Sequence, residues 1–182
     1  MRIVCTTAIA RIECQELHKL TDSCYVHKST KRLRRARKTT AFHHVRWSMP
    51  DTKIVFLIYA SGRVVILGCV SDAQLTCAVD WLSTQLATQV LQPPSVCNVV
   101  SCLDLGQLPP LHSLAQRLTD SGHDVSFEPE LSPGIVLRMK DPNSTTMLFR
   151  SGKAMVTGVN AFAGVDHASA AIRQTIRSCL PK

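Results

Sequence analysis

Apolar residues recur along this chain in two rhythms. Short stretches are β-branched or alternating, and longer ones repeat every three to four residues. The first rhythm predicts strands over Ile3–Thr7, Ala41–Ser48, Ile54–Ala60 and Arg63–Cys69. In the second half it predicts Val96–Ser101, Ile135–Lys140, Thr145–Arg150 and Ala154–Val159. The second rhythm predicts helices. Leu17 and Leu20 mark one, and Leu75, Ala78, Val79, Leu82 and Leu86 form the stripe of a longer one. Ser71, with Gln74 three residues on, reads as the capping box that starts it. Later, Leu111, Leu114 and Leu118 mark a third helix, and Val165, Ala168, Ile172 and Ile176 a fourth. Ala60-Ser61-Gly62 and Arg150-Ser151-Gly152 read as hairpin turns.

The order strand, helix, strands, helix therefore occurs twice, and short words repeat with it. Leu20-Thr21-Asp22-Ser23 returns as Leu118-Thr119-Asp120-Ser121, Arg46-x3-Pro50 as Arg138-x3-Pro142, and Ser61-Gly62-Arg63 as Ser151-Gly152-Lys153. One shared order across three words is the signature of an internal duplication. It divides the chain into a first repeat over 1–91, a stiff Gln-Pro-Pro linker over 92–94, and a second repeat over 95–182. The expected class is α+β: an antiparallel sheet with helices on one face, its two copies related by a pseudo-twofold axis. A face left without helices must be polar or bind something. Its expected residues are apolar or small: Val4, Leu57, Tyr59, Val65 and Leu67, then Val100, Met147, Phe149, Met155 and Thr157.

Composition narrows the picture. The 182 residues are 45% hydrophobic and 19% charged, an ordinary globular mixture. The longest strongly apolar run, Ile54–Ala60, has seven residues, far short of the roughly 20 that a membrane helix needs. The opening MRIVCTTAIARIEC is interrupted by charge too early for a signal peptide, so cytosol or nucleus is expected. Net charge is +8, and seven of the 21 Lys and Arg fall between Lys28 and Lys38 with no acid among them. That run (Lys28, Lys31, Arg32, Arg34, Arg35, Arg37, Lys38) calls for a polyanion, an acidic protein or the import machinery as partner. The eight cysteines contain no CxxC pair and read as buried thiols. Cys14, His18, Cys24 and His27 are zinc-type ligands at the spacing of no standard finger, and no metal or cofactor is expected. G-x-S-x-G and H-E-x-x-H are both absent, so no catalytic residue is assigned.

Four stretches then stand out: Phe127-Glu128-Pro129-Glu130-Leu131-Ser132-Pro133-Gly134, Arg138-Met139, Met147 through Lys153, and Val156-Thr157-Gly158. Through them the chain resembles the TATA-box-binding protein family, and Leu57-Ile58-Tyr59-Ala60-Ser61-Gly62-Arg63 with Gly68 carries the same resemblance in the first copy. It covers nearly the whole chain; the family's variable N-terminal segment has no counterpart, so the family's core alone is expected. The resemblance implies a saddle: one curved antiparallel sheet, helices on its convex face, and a concave face lying in the DNA minor groove. In the family, central asparagines read A·T acceptors and aromatic pairs wedge between base steps. Asn98 matches the second-repeat asparagine, and Arg2 stands at its first-repeat counterpart. Val4 and Val100 match the paired valines. Phe149 is a retained wedge and Tyr59 an aromatic substitute; Ser132 and Thr40 occupy the other two positions, with Phe42 two residues from the last. Leu57, Val65, Met147 and Met155 line the same face. Leu67 replaces a groove-facing Thr that Thr157 keeps. Arg46, Arg63, Arg138 and Lys153 match phosphate-facing positions.

The resemblance implies partners too. Glu128 and Glu130 match the stirrup that meets TFIIB-type factors, and the Lys28–Lys38 run occupies the stirrup that meets TFIIA-like factors. A small-nuclear-RNA-gene activating complex is a further implied partner. The expectation is a TBP-related initiation factor acting in a nuclear preinitiation complex, with weakened intrinsic TATA selectivity because two wedges are lost. The alternative is a promoter-complex adaptor that no longer binds DNA.

Overall fold

The computed structural model describes residues 2–13, 44–59, 61–87 and 89–180. The predicted first helix with Leu17 and Leu20, the Cys14/His18/Cys24/His27 group, the basic run Lys28–Lys38, Thr40 and Phe42 lie outside the described residues. The elements in order are β1 (Arg2–Ile12), β2 (His44–Ser48), β3 (Val55–Tyr59), β4 (Arg63–Leu67) and α1 (Asp72–Leu86). They continue as β5 (Val90–Asp104), α2 (Leu111–Asp120), β6 (Asp124–Ser126), β7 (Gly134–Lys140), β8 (Asn143–Phe149), β9 (Lys153–Val159) and α3 (Gly164–Cys179). They group into two compact units, Thr7–Ser95 and Val96–Lys182 with Met1–Thr6. We call these the first-repeat and second-repeat units. Residues 92–94, expected as a linker, lie within the extended strand β5, where proline's fixed φ is tolerated. The three-residue β6 was not expected; it is too short for an alternating pattern to show.

In the first-repeat unit the strands lie in the order β2-β3-β4-β1, all antiparallel. Phe56, Ile58, Val64 and Ile66 point to one face and are buried, 1% exposed or less. Helix α1 covers that face with Leu75, Ala78, Val79 and Leu82. Trp81 of α1 stacks on Phe56 at 5.7 Å between ring centroids and meets Trp47 of β2 edge-on at 5.3 Å. The expected cap is present: Gln74 N donates to Ser71 Oγ at 3.2 Å. The Gln74 side chain reaches back one residue further than a standard box, accepting from Val70 N at 3.1 Å.

In the second-repeat unit the order is β5-β9-β8-β7-β6. Leu103, Ile135, Leu148, Ala154 and Val156 form its buried sheet face, against Leu114 and Leu118 of α2 and Val165, Ala168 and Ile172 of α3. The duplication extends to the backbone. Gly62 and Gly152 take φ of 77° and 78°, and Gly68 and Gly158 both take 94°. At Gly152 a Cβ would collide with the Gly106 carbonyl oxygen, so no other residue fits the second Ser-Gly turn.

Candidate nucleic-acid interface

Each unit leaves its other sheet face without helices among the described residues, and strand register settles which side chains share it. In the first-repeat unit Arg46, Leu57, Val65 and Ile9 are successive cross-strand partners, forming an aliphatic row with Arg46 at its end. Val55, Leu67 and Thr7 make the next row, and Tyr59 stands opposite His44. In the second-repeat unit Val136, Met147, Met155 and Cys102 form the matching row. Arg138, Thr145 and Thr157 form the one beside it. Phe149 lies opposite Gly134, where a Cβ would come within 2.6 Å of the Leu148 carbonyl oxygen. These faces are half-exposed and apolar: Val4 is 53% and Met155 36% exposed. They are unusual surfaces for a protein without a partner there.

One polar group is built into this floor. Asn98 Oδ1 accepts from Gly158 N at 2.9 Å and from Thr157 Oγ1 at 3.2 Å. A backbone N–H can only donate, so the amide orientation is determined, and Nδ2 is turned outward as a donor. The minor-groove edges of A·T pairs carry only acceptors, A N3 and T O2. Asn98 and Thr157, both singled out in the sequence, are thus one unit.

The first repeat does not reproduce it. Val65 and Met155 are equivalent across the duplication; Val65 lies opposite Ile9, and Met155 opposite Cys102. Ile9 and Cys102 therefore correspond at an offset of 93 residues, not the 96 that pairs Arg2 with Asn98 and Val4 with Val100. The ladder of β5 shifts register between Val99 and Ser101, so this offset holds for Ser101–Asp104 against β1. An odd shift moves every side chain to the other face. Thr6, Ala8, Ala10 and Ile12 consequently point to the core, and Thr7, Ile9 and Arg11 to the helix-free side. Arg2 and Val4 are exposed, preceding a change of phase at Cys5, while Ile3 packs against the second-repeat core.

The basic positions differ in setting. Arg138 is paired with Asp124 at 3.3 Å, an exposed bridge, and Lys153 lies opposite Asp104. Arg46 and Arg63 have no acidic partner among the described residues. At the Glu-Pro-Glu-Leu loop, the Glu128 carbonyl oxygen accepts from Leu131 N at 2.9 Å and from Ser132 N at 2.8 Å. That tight turn leaves Glu128 and Glu130 exposed, with Leu131 81% exposed beside them. Sequence reasoning missed Arg11 and Ile9 on the helix-free face; only register reveals them.

Burial shifts the titration of Cys69. Cys69, 1% exposed, has its thiol pushed from 9.0 up to about 11 by desolvation. It is a core residue. Among the described residues, no cluster of His, Cys, Asp or Glu could hold a metal, and no helix is long and apolar enough to cross a membrane.

Two helix-backed sheets with apolar open faces and basic margins define a surface-binding protein. The comparisons make this specific. The family model described as "Transcription factor TFIID (or TATA-binding protein, TBP)" matches residues 24–88 and 93–179. The chain is 31% identical over 140 residues to TATA-box-binding protein F of Halobacterium salinarum, 74% of each chain. It is 31% identical over 137 residues to the TATA-box-binding protein of Methanocaldococcus jannaschii, 72% of each. The solved structure of Methanococcus jannaschii TBP superposes with a TM-score of 0.73, covering 97% of this chain and 98% of that one at 24% identity. The chain belongs to the TATA-binding protein family and has its fold. It is accordingly a general transcription initiation factor, of the class that acts on promoter DNA, and not an enzyme.

Proposed function

We propose that this chain is a divergent, TBP-related initiation factor with weakened intrinsic TATA selectivity. It docks in the minor groove through the helix-free faces. The observation that carries the reading is the outward amide of Asn98, held by Gly158 and Thr157 within an apolar floor that includes Met147 and Phe149. Weakened selectivity follows from Ser132 at a wedge position. A serine offers almost no stacking area to offset the few kcal/mol lost per unstacked step. The missing first-repeat asparagine acts in the same direction, since Arg2 stands at its counterpart in the sequence. Binding is then mainly electrostatic and falls steeply with salt. Glu128 and Glu130 would meet a TFIIB-type factor, and the Lys28–Lys38 run a TFIIA-like factor or a small-nuclear-RNA-gene activating complex. The place of action is wherever promoter DNA lies, the nucleus in a eukaryotic cell.

Salt-titrated binding of the full chain to A·T-rich and G·C-rich duplexes tests this. The expected result is low-salt binding to both, with a small A·T preference and a shallow bend. A sharply bent, strongly selected TATA duplex would refute the divergence. The exposed Arg138–Asp124 pair, which neutralises one phosphate-facing position, favours a second reading as a protein adaptor. Absence of duplex binding at low salt would establish that reading instead.

A further inference from the structure

The end of β1 beside the Ser61-Gly62 turn holds a pair of which family matching singles out Arg63 alone; Arg11 comes from the strand register. Arg11 of β1 and Arg63 of β4 are direct cross-strand partners, both exposed and both on the helix-free face. Ile12 N donates to the Gly62 carbonyl oxygen at 2.9 Å, anchoring this corner. Directly opposed side chains have Cβ atoms about 5 Å apart, and like charges so placed repel. No ion pair relieves either guanidinium among the described residues. The equivalent place in the second-repeat unit is built the opposite way: Asp104 faces Lys153, and Leu105 N donates to the Gly152 carbonyl oxygen at 2.9 Å. One repeat has a balanced pair where the other has a double positive charge.

We propose that Arg11 and Arg63 form a two-guanidinium clamp for the DNA phosphate backbone, which makes the first-repeat unit the electrostatic anchor of the chain. This rests on the DNA-binding reading above. Two planar forks at cross-strand separation suit phosphate oxygens, which guanidinium binds in bidentate fashion. Their repulsion without DNA becomes attraction to a shared anion when it is bound. The second-repeat unit, with Lys153 opposite Asp104 and Arg138 on Asp124, contributes less to charge and more to base reading through Asn98.

The test is the salt dependence of binding to a short A·T-rich duplex, using the full chain. Each phosphate contact contributes about 0.9 to the slope of log K against log salt, so raising salt from about 50 to about 200 mM costs roughly 3.5-fold per contact. Arg11→Gln and Arg63→Gln should each shrink the salt loss by about that factor, with an unchanged or higher thermal midpoint. Arg11→Lys should keep the wild-type slope. Arg11→Asp, copying the pair in the other unit, should lose as much slope as both Gln changes together. A wild-type slope in Arg11→Gln and Arg11→Asp, with the wild type binding normally, overturns the clamp alone. A wild-type chain that binds no duplex at low salt overturns the DNA reading and the clamp with it.

Discussion

Replacing Asn98 with Asp separates the two roles of this side chain. Oδ1 holds the strand by accepting from Gly158 N at 2.9 Å and Thr157 Oγ1 at 3.2 Å; Nδ2 faces outward. Aspartate retains an oxygen for both inward bonds, so folding stability should change by less than about 0.5 kcal/mol. Outward, a donor becomes a charged acceptor aimed at groove acceptors. Losing a good base-edge contact costs about 1–3 kcal/mol, roughly 5- to 150-fold in affinity. Preference for A·T-rich over G·C-rich duplex should fall with it, since Nδ2 is the group suited to A N3 and T O2. Asn98→Ala makes the contrast: it also strands Gly158 N, costing about 1 kcal/mol of stability. Fluorescence anisotropy at one fixed salt concentration reads affinity, and circular-dichroism melting reads stability. An Asn98→Asp variant that melts normally and binds both duplexes with wild-type affinities would show that the amide never enters the groove.

Four further outcomes are expected. Ser132→Phe should raise affinity for an A·T-rich duplex by about 1–3 kcal/mol, the scale of added base stacking, and deepen the bend seen by energy transfer between end labels; an unchanged bend places Ser132 away from the step. Glu128→Arg and Glu130→Arg should abolish capture of a TFIIB-type factor and leave the melt within about 0.5 kcal/mol, because both side chains are exposed; an intact ternary complex refutes that surface. Thr146→Val should raise denaturant stability by about 1 kcal/mol, since Oγ1 of this 0%-exposed residue has no partner; a loss would mean the hydroxyl is bonded. Cys69 should make stability fall at high pH. Its folded value of about 11 exceeds the ordinary 9.0, so the unfolded thiol ionises first. Its contribution is full below pH 9 and is lost between about 9 and 11. Cys69→Ala should flatten that part of the curve.

Much of this protein was legible in the chain alone. The Ser-Gly turn words at Gly62 and Gly152 mark positive φ that favours glycine, so the duplication is visible as spelling. The stripes of α1, α2 and α3 and the Ser71 cap are local features, governed by neighbours three or four residues away. The Glu-Pro-Glu-Leu word placed the acidic loop, whose exposure is set by its own turn. What the chain could not show is register. Strand pairing joins residues some 50 positions apart, as Arg11 and Arg63 are, and a shift of one residue reverses every face. Word matching pairs Arg2 with Asn98 at an offset of 96, whereas the ladders set Ile9 against Val65 and Cys102 against Met155, an offset of 93, and Thr6, Ala8 and Ala10 point inward. The same ladder decided the charges, neutralising Arg138 with Asp124 and setting Arg11 against Arg63. Residue types and local spacing are written along one dimension. Which charges meet, and on which face, depends on hydrogen bonds between strands that only the folded sheet brings together.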